Sequence, residues 1–310
     1  MSDVIGIDIG GANLKVFTAG RVDIHYCPLW KGAPIQEILQ PYYGVRKNVV
    51  VVMSGELADS FSSKMDGISY IVQEVLSVFP DALFYGIDGA FHAGPCIELA
   101  AANWLAACDA LAMQYPTAVL VDVGSTTTDI IPLQNARDLL GYTDLKRLQD
   151  GYLLYIGMLR TPIATVISEV ELDGVKTAVS TEFFANAADA HLIMGTITPD
   201  LYTCERADGG DISYEACVRR ISRVVCADPE EIGVGGPEQI ARAFISRQRE
   251  IVVSGVQRVC GRVGATEVVC AGIGAEVLAS WLVEEGLSCV IHPYAEALPA
   301  YGVAQLICRD

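Results

Sequence analysis

The chain has 310 residues, of which 52% are hydrophobic, and a formal net charge of -17. That length and composition supply a sizeable apolar core, suit two modest domains better than one, and exclude a disordered polymer. The negative charge works against non-specific nucleic-acid binding, which is driven mainly by the neutralisation of phosphates by basic residues, so an anionic substrate must find its cations locally.

The N-terminus carries Asp3 and Asp8 where a signal peptide would be basic, and no uncharged run exceeds twelve residues (Ala110 to Val121). A membrane helix needs ~20 apolar residues, so a soluble cytoplasmic protein with no membrane partner is expected. The ten cysteines contain no Cys-x-x-Cys pair. Several lie in apolar runs such as Val268-Val-Cys-Ala-Gly272, which reads as reduced core thiols rather than a zinc site or a disulfide framework.

In chain order, strand-like runs are expected at 4–9, 49–53, 83–87, 118–123, 130–133, 268–271 and 289–291. Helix-like stretches fall at 68–79, 98–114, 238–260 and 296–309. In the first of these helices Ile68, Ile71, Val72, Val75, Leu76 and Phe79 share one face. The alternation predicts an α/β protein with a substantial sheet. A boundary is expected near Tyr115-Pro116, giving one domain of 1–117 plus the returning helix 295–310, and a second of 118–294. The polar, turn-rich segment Thr198–Asp211 reads as a loop at a cleft edge.

One pattern occurs twice: Ile5-Gly-Ile-Asp-Ile-Gly-Gly-Ala-Asn-Leu-Lys-Val16 and Val119-Leu-Val-Asp-Val-Gly-Ser-Thr-Thr-Thr-Asp-Ile130. Aligned without gaps, Asp8 lies over Asp122, Gly10 over Gly124 and Lys15 over Asp129. Each copy reads as a buried strand ending in Asp-x-Gly and followed by a hairpin of small and hydroxyl residues, where backbone N–H groups can approach an anion. A single Asp-x-Gly step also makes ordinary turns; the repeat is what carries the reading. A third glycine turn, Cys270-Ala-Gly-Ile-Gly-Ala-Glu276, follows a strand and opens a helix, where N-terminal amides offer an anion or nucleotide contact. It lacks a full G-x-G-x-x-G, so a Rossmann dinucleotide site is the poorer reading.

Two hairpins and a late glycine turn resemble the phosphate-one, phosphate-two and adenosine motifs of the acetate kinase, sugar kinase, Hsp70 and actin superfamily. The resemblance implies a two-domain actin-like ATPase (ribonuclease H-like) fold with a central cleft. Val121-Asp-Val-Gly-Ser-Thr-Thr-Thr-Asp129 and Gly151-Tyr-Leu-Leu-Tyr-Ile-Gly-Met-Leu-Arg-Thr-Pro162 look most like its hydantoinase/oxoprolinase branch. Ile7-Asp-Ile-Gly-Gly-Ala-Asn-Leu-Lys15, Met53-Ser-Gly-Glu-Leu-Ala-Asp59, Tyr85-Gly-Ile-Asp-Gly89, Ala102-Asn-Trp-Leu105 and Ala207-Asp-Gly209 are similar to a short group within that branch. Its members join an aminomethyl-furanmethyl diphosphate to γ-glutamyltyramine in methanofuran biosynthesis, with loss of diphosphate.

That resemblance implies a transferase with small-molecule substrates. Asp8 and Asp122 would hold Mg²⁺ or another divalent metal, which takes few carboxylates and keeps several waters. Gly10, Gly11, Asn13, Gly124, Ser125, Thr126 and Thr127 would donate to the diphosphate, and Gly272 and Gly274 would supply the adenosine-like turn. Lys15 has two readings, contact with the leaving group or pairing with Asp129. The phenol nucleophile, of ordinary pKa ~10, needs a base or a charge-stabilising partner, for which Glu56, Asp88 and Asp208 are candidates; each also reads as a turn or capping acid. His92 and His191 read as metal ligands only weakly. Use of ATP, as in a kinase or amidohydrolase, a non-catalytic nucleotide-binding role and a homo-oligomeric state are left open by the sequence.

Overall fold

The computed structural model of the protein describes residues 4–44 and 48–308. From the N-terminus, β1 (Val4–Ile9), β2 (Asn13–Thr18) and β3 (Arg21–Tyr26) form an antiparallel run. Helix α1 (Ile35–Leu39), β4 (Asn48–Met53), α2 (Lys64–Val78), β5 (Leu83–Tyr85), β6 (Phe91–His92) and α3 (Asn103–Leu111) follow. Next come β7 (Val119–Val123), β8 (Thr128–Pro132), α4 (Asp144–Asp150), β9 (Leu153–Leu154), and the two-stranded β10 (Glu169–Leu172) and β11 (Val175–Ala178). The chain closes with α5 (Ala187–Ile193), α6 (Tyr214–Arg223), α7 (Pro229–Ile232), α8 (Gly236–Val263), β12 (Glu267–Ala271), α9 (Ala275–Glu284), β13 (Ser288–Ile291) and α10 (Leu298–Leu306).

The chain divides into two compact units, one of 1–120, 131–150 and 292–310, the other of 121–130 and 151–291. In the first unit a six-stranded sheet runs β3-β2-β1-β4-β5-β6. Strand β1 is buried along its whole length because it pairs antiparallel with β2 on one side and parallel with β4 on the other. Burying Val4, Ile5, Ile7 and Ile9 stabilises the fold by about 1.5–3 kcal/mol per side chain. Strand β5 continues the parallel set, with Val51 opposite Phe84. The C-terminal ends of β1, β4 and β5 therefore open on one edge, carrying the loop at Gly10, the Ser54–Glu56 step and the turn 86–92. Helix α10 packs on β1 and α3, and Gly6 is where its backbone comes closest, since any side-chain carbon there would run into Ala300 O.

In the second unit the sheet order is β13-β12-β7-β8-β9, with β12 and β13 parallel and β8 and β9 antiparallel. Helices α5 and α6 pack on the 28-residue α8. The helix expected over 98–114 starts only at Asn103; a short 3₁₀ turn at Ile97–Leu99 precedes it, and Ala101 adopts a left-handed φ of 49°, which interrupts the helical path. Among the described residues no helix is long and apolar enough to cross a membrane, and no cysteine is in a disulfide.

Candidate functional site

Both hairpins are closed by one bond at aligned positions. Gly10 N donates to Asn13 O, and Gly124 N donates to Thr127 O, each at 2.9 Å. These two amides are therefore spent on the turn rather than offered to a ligand, a correction to the expectation for Gly10 and Gly124. The N–H groups of Gly11, Ala12, Ser125 and Thr126 have no acceptor among the described residues, and these are the amides a phosphate would meet.

Each hairpin is held from outside by a second segment. Ser54 N and Gly55 N both donate to Ile9 O, and Gly55 lies so close that a side-chain carbon would come 2.8 Å from Gly10 O. In the second unit Met158 N donates to Gly124 O, while Leu159 N and Arg160 N both donate to Ser125 O. A side-chain carbon at Gly157 would come 2.5 Å from Thr126 N. Gly272 is equally constrained: its φ is +80°, and its open face abuts Asp122 Oδ1 and Val123 O. Gly274 N donates to Val123 O at 3.0 Å, so the adenosine-like turn is bonded to the end of β7 beside Asp122, and that amide too is committed.

The carboxylates differ sharply. Asp8 is 3% exposed and faces Lys15, its register partner on β2, whose Nζ lies 3.7 Å from Asp8 Oδ2. Burial raises the Asp8 pKa, with Lys15 pulling the other way. Its Oδ1 is buried without a hydrogen-bond partner. An orphaned carboxylate oxygen fits a cation, which is the test the residues offer for Mg²⁺. Among the described residues no three His, Cys, Asp or Glu side chains gather as ligands, so a Mg²⁺ held by Asp8 would complete its shell with water and phosphate oxygens. Asp122 is half-buried and Asp129 buried, opposite Leu153 of β9.

Of the three candidate bases, Glu56 is 1% exposed, its Oε2 has no partner, and burial raises its pKa. Asp208 fits the role poorly. Burial works to raise its pKa, but the Gly210 N–H and the Arg220 guanidinium, 3.1 Å away, together hold the carboxyl below the usual range. A weak base bound to arginine is a poor proton acceptor. Asp88 instead has a partnership that sequence reasoning passed over: both of its oxygens lie within 3.2 Å of His92 Nε2.

A second missed set lies behind the Gly157 strap. Gln248 Nε2 donates to Gly157 O at 2.9 Å, and Gln248 Oε1 lies 2.9 Å from His191 Nε2. His191 Nδ1 lies 2.7 Å from Thr196 Oγ1. Burial pushes His191 down to about 4, so the ring is neutral near pH 7. Because the amide must donate to Gly157 O, its oxygen accepts, which puts the imidazole proton on Nε2 and leaves Nδ1 an acceptor; the Thr196 hydroxyl beside it is shared with His191 O, 3.0 Å away. Alongside, Asp189 accepts from Arg220 Nε at 2.8 Å and Tyr202 Oη at 2.9 Å in full burial, while Ala188 N and Ala187 N hold Leu159 O and Thr161 O. The strap is thus anchored on α5 and α8. The only signal in the sequence was the polar character of His191 within the largely apolar run 187–194; Gln248, amid Arg247, Arg249 and Glu250, gave none.

Of the sequence-derived site residues, Asp8, Gly10, Gly11, Asn13, Lys15, Glu56 and Asp88 lie in the first unit, and Asp122, Gly124, Ser125, Thr126, Thr127, Asp129, Gly272 and Gly274 in the second.

A family model described as hydantoinase/oxoprolinase matches residues 47–307. The chain is 33% identical over 323 aligned residues to the (4-{4-[2-(γ-L-glutamylamino)ethyl]phenoxymethyl}furan-2-yl)methanamine synthase of Methanocaldococcus jannaschii, covering 99% of this chain and 98% of that protein. It is 35% identical over 166 residues to the protein of the same name from Methanococcus vannielii, covering 54% and 75% respectively. Among solved structures, nucleotide-free acetone carboxylase superposes with a TM-score of 0.57 at 10% identity, covering 97% of this chain and 70% of that one, which shows a shared fold.

Proposed function

Because the chain belongs to the hydantoinase/oxoprolinase family, and within it matches the Methanocaldococcus jannaschii synthase from end to end, we propose that it forms the aryl ether of (4-{4-[2-(γ-L-glutamylamino)ethyl]phenoxymethyl}furan-2-yl)methanamine. The observation that carries this reading is the 33% identity spread over 99% of this chain and 98% of that synthase. The product's own structure fixes the bond made: the phenol oxygen of γ-glutamyltyramine joins a furanylmethyl carbon. The carbon must arrive with a leaving group, and an aminomethyl-furanmethyl diphosphate matches the two hairpins, whose unengaged amides suit phosphate oxygens.

In this reaction Lys15 with the amides of Gly11 and Ala12 in the first unit, and the amides of Ser125 and Thr126 in the second, are the donors suited to charge developing on phosphate oxygens. Asp8, through its orphaned Oδ1, would hold a divalent ion, with Asp122 the aligned carboxylate of the second unit, and such an ion when bound would polarise the diphosphate. The Ser54–Gly55 and Gly157–Arg160 straps fix the two hairpins, so that their donors need no reorganisation as charge develops.

The test is incubation of the protein with Mg²⁺ and γ-glutamyltyramine, with either the furanmethyl diphosphate or the furanmethanol plus ATP. Diphosphate release with ether formation in the first mixture is expected. ADP release with the alcohol would make the protein an ATP-dependent kinase-like enzyme instead, and no turnover in either would leave a non-catalytic nucleotide-binding role.

A further inference from the structure

The turn between β5 and β6 builds a dyad. Asp88 Oδ1 and Oδ2 lie 3.2 and 3.1 Å from His92 Nε2. A carboxylate can only accept, so Nε2 carries the proton and Nδ1 carries the lone pair. Among the described residues nothing engages Nδ1. The turn itself is firmly held: Gly86 N donates to Ala90 O at 2.9 Å, Ala90 N to Asp88 Oδ1 at 3.1 Å, and Ile87 N to Glu98 O at 2.7 Å. The His92 side chain remains 25% exposed, so its open nitrogen is within reach of a ligand.

The fold puts this dyad on the edge where the first hairpin ends. Ile9 pairs with Met53, and Val51 with Phe84, so the turn after β5 stands level with the loop at Gly10, two strands away. Two strand spacings are about 10 Å, and His92, on β6 one strand farther, turns its Nε2 back over Gly86 at the end of β5. Glu56, the other candidate base in the first unit, does not compete, since it is enclosed. The groups around the turn are Tyr85 on β5, whose hydroxyl donates to Asp109 of α3; Arg137, which binds Asp109 at 2.9 Å and lies beside Gly89; and Cys96 and Glu98 just downstream. A carboxylate-oriented imidazole in an acidic setting with one nearby guanidinium is a built proton acceptor.

We propose that His92 is the base of the ether-forming step, with Asp88 as its positioning residue. This inference rests on the function proposed above. Nδ1 takes the phenol proton as the phenol oxygen bonds to the furanylmethyl carbon; the carbon–oxygen bond to diphosphate breaks, and its electron pair leaves with the diphosphate. The imidazolium then releases its proton to water, and Asp88 supplies the countercharge while it exists.

The experiment compares wild-type protein, His92→Gln and Asp88→Asn with Mg²⁺ and the furanmethyl diphosphate, across pH, using γ-glutamyltyramine and a ring-fluorinated analogue whose phenol is more acidic. Thermal melts check that each variant folds. His92→Gln is expected to lose about 10²–10⁴-fold in kcat, to lose the acidic limb of the profile and to keep its KM for the diphosphate. Its deficit should shrink with the fluorinated acceptor, which needs less help. Asp88→Asn should retain more activity and move the acidic limb to lower pH, because the imidazolium loses its countercharge. A His92→Gln enzyme within threefold of wild type at every pH, or one equally impaired with both acceptors, overturns the base assignment alone. Absence of ether from wild-type protein overturns the functional reading and the base assignment together.

Discussion

The hairpin at Gly10 and the hairpin at Gly124 are closed by the same bond and gripped by the same device, a glycine-bearing strap that donates to carbonyls at the strand end. Their charges nevertheless diverge. The first pairs a buried Asp8 with Lys15; the second has Asp129 where Lys15 would be, and a half-buried Asp122. Backbone geometry was thus kept through the repeat while the electrostatics were allowed to separate. Only the first hairpin carries a cation of its own, so the two hairpins are equivalent in backbone and unequal in charge.

The largest effect should come from removing the first carboxylate. Asp8→Asn keeps side-chain size and is expected to lower kcat by about 10²–10³-fold, since ligand charge disappears from the orphaned oxygen. Stability should hold or rise. The folded pKa of Asp8 lies above its unfolded value, so the native state binds the proton more tightly, and stability falls as pH rises through that window. The neutral variant escapes this cost. Kinetics together with melts at several pH values check both halves, and a variant that simply unfolds would refute the ligand assignment.

Next in size is a property of the second strap alone. His191 is depressed from 6.5 to about 4, so its contribution is fully present above the unfolded value and is lost as pH falls from about 6.5 towards 4. Roughly 2.5 pH units correspond to about 3 kcal/mol of acid lability. Urea titrations between pH 7 and 4 should show it in wild type and find it largely absent in His191→Gln.

Lys15→Ala tests the asymmetry itself. Use of the diphosphate should weaken in kcat and KM by about 1.5–3 kcal/mol, while calorimetric binding of the neutral alcohol stays nearly unchanged. Equal losses for both ligands would make Lys15 a structural partner of its neighbouring carboxylate. The smallest effect concerns what the hairpins share. Gly55→Ala and Gly157→Ala both force a carbon against hairpin backbone and should each cost about 1–3 kcal/mol. Thermal unfolding of the two would reveal whether one strap is softer, and a harmless substitution at either would deny it a gripping role.

Much of this architecture was legible in the sequence, because strands such as Val4–Ile9 and Val119–Val123 declare themselves by continuous apolar residues and the Asp-x-Gly step is local. Strand β2 was harder. Its Lys15 breaks the apolar run, and its strand character comes from pairing on both sides. The straps were invisible for a different reason: Gln248 reaches Gly157 across 91 positions, and no periodicity encodes a bond of that length. Asp88 could be read as an available acid, but its partner could not, since the pairing with His92 depends on how tightly the intervening turn closes.

Helix α10 carries a consequence for how the protein is made. It seats against Gly6 and covers β1, so the sheet that carries Asp8 lacks this cover until residues 298–306 have left the ribosome, after residues 121–291 have been synthesised. During that interval Val4 on β1, Phe17 on β2, and Val50 and Val52 on β4, which alternate onto the same side as Gly6, form an open apolar face, a species prone to association and a natural client for a chaperone. A nascent chain stalled short of residue 298 should therefore display this face.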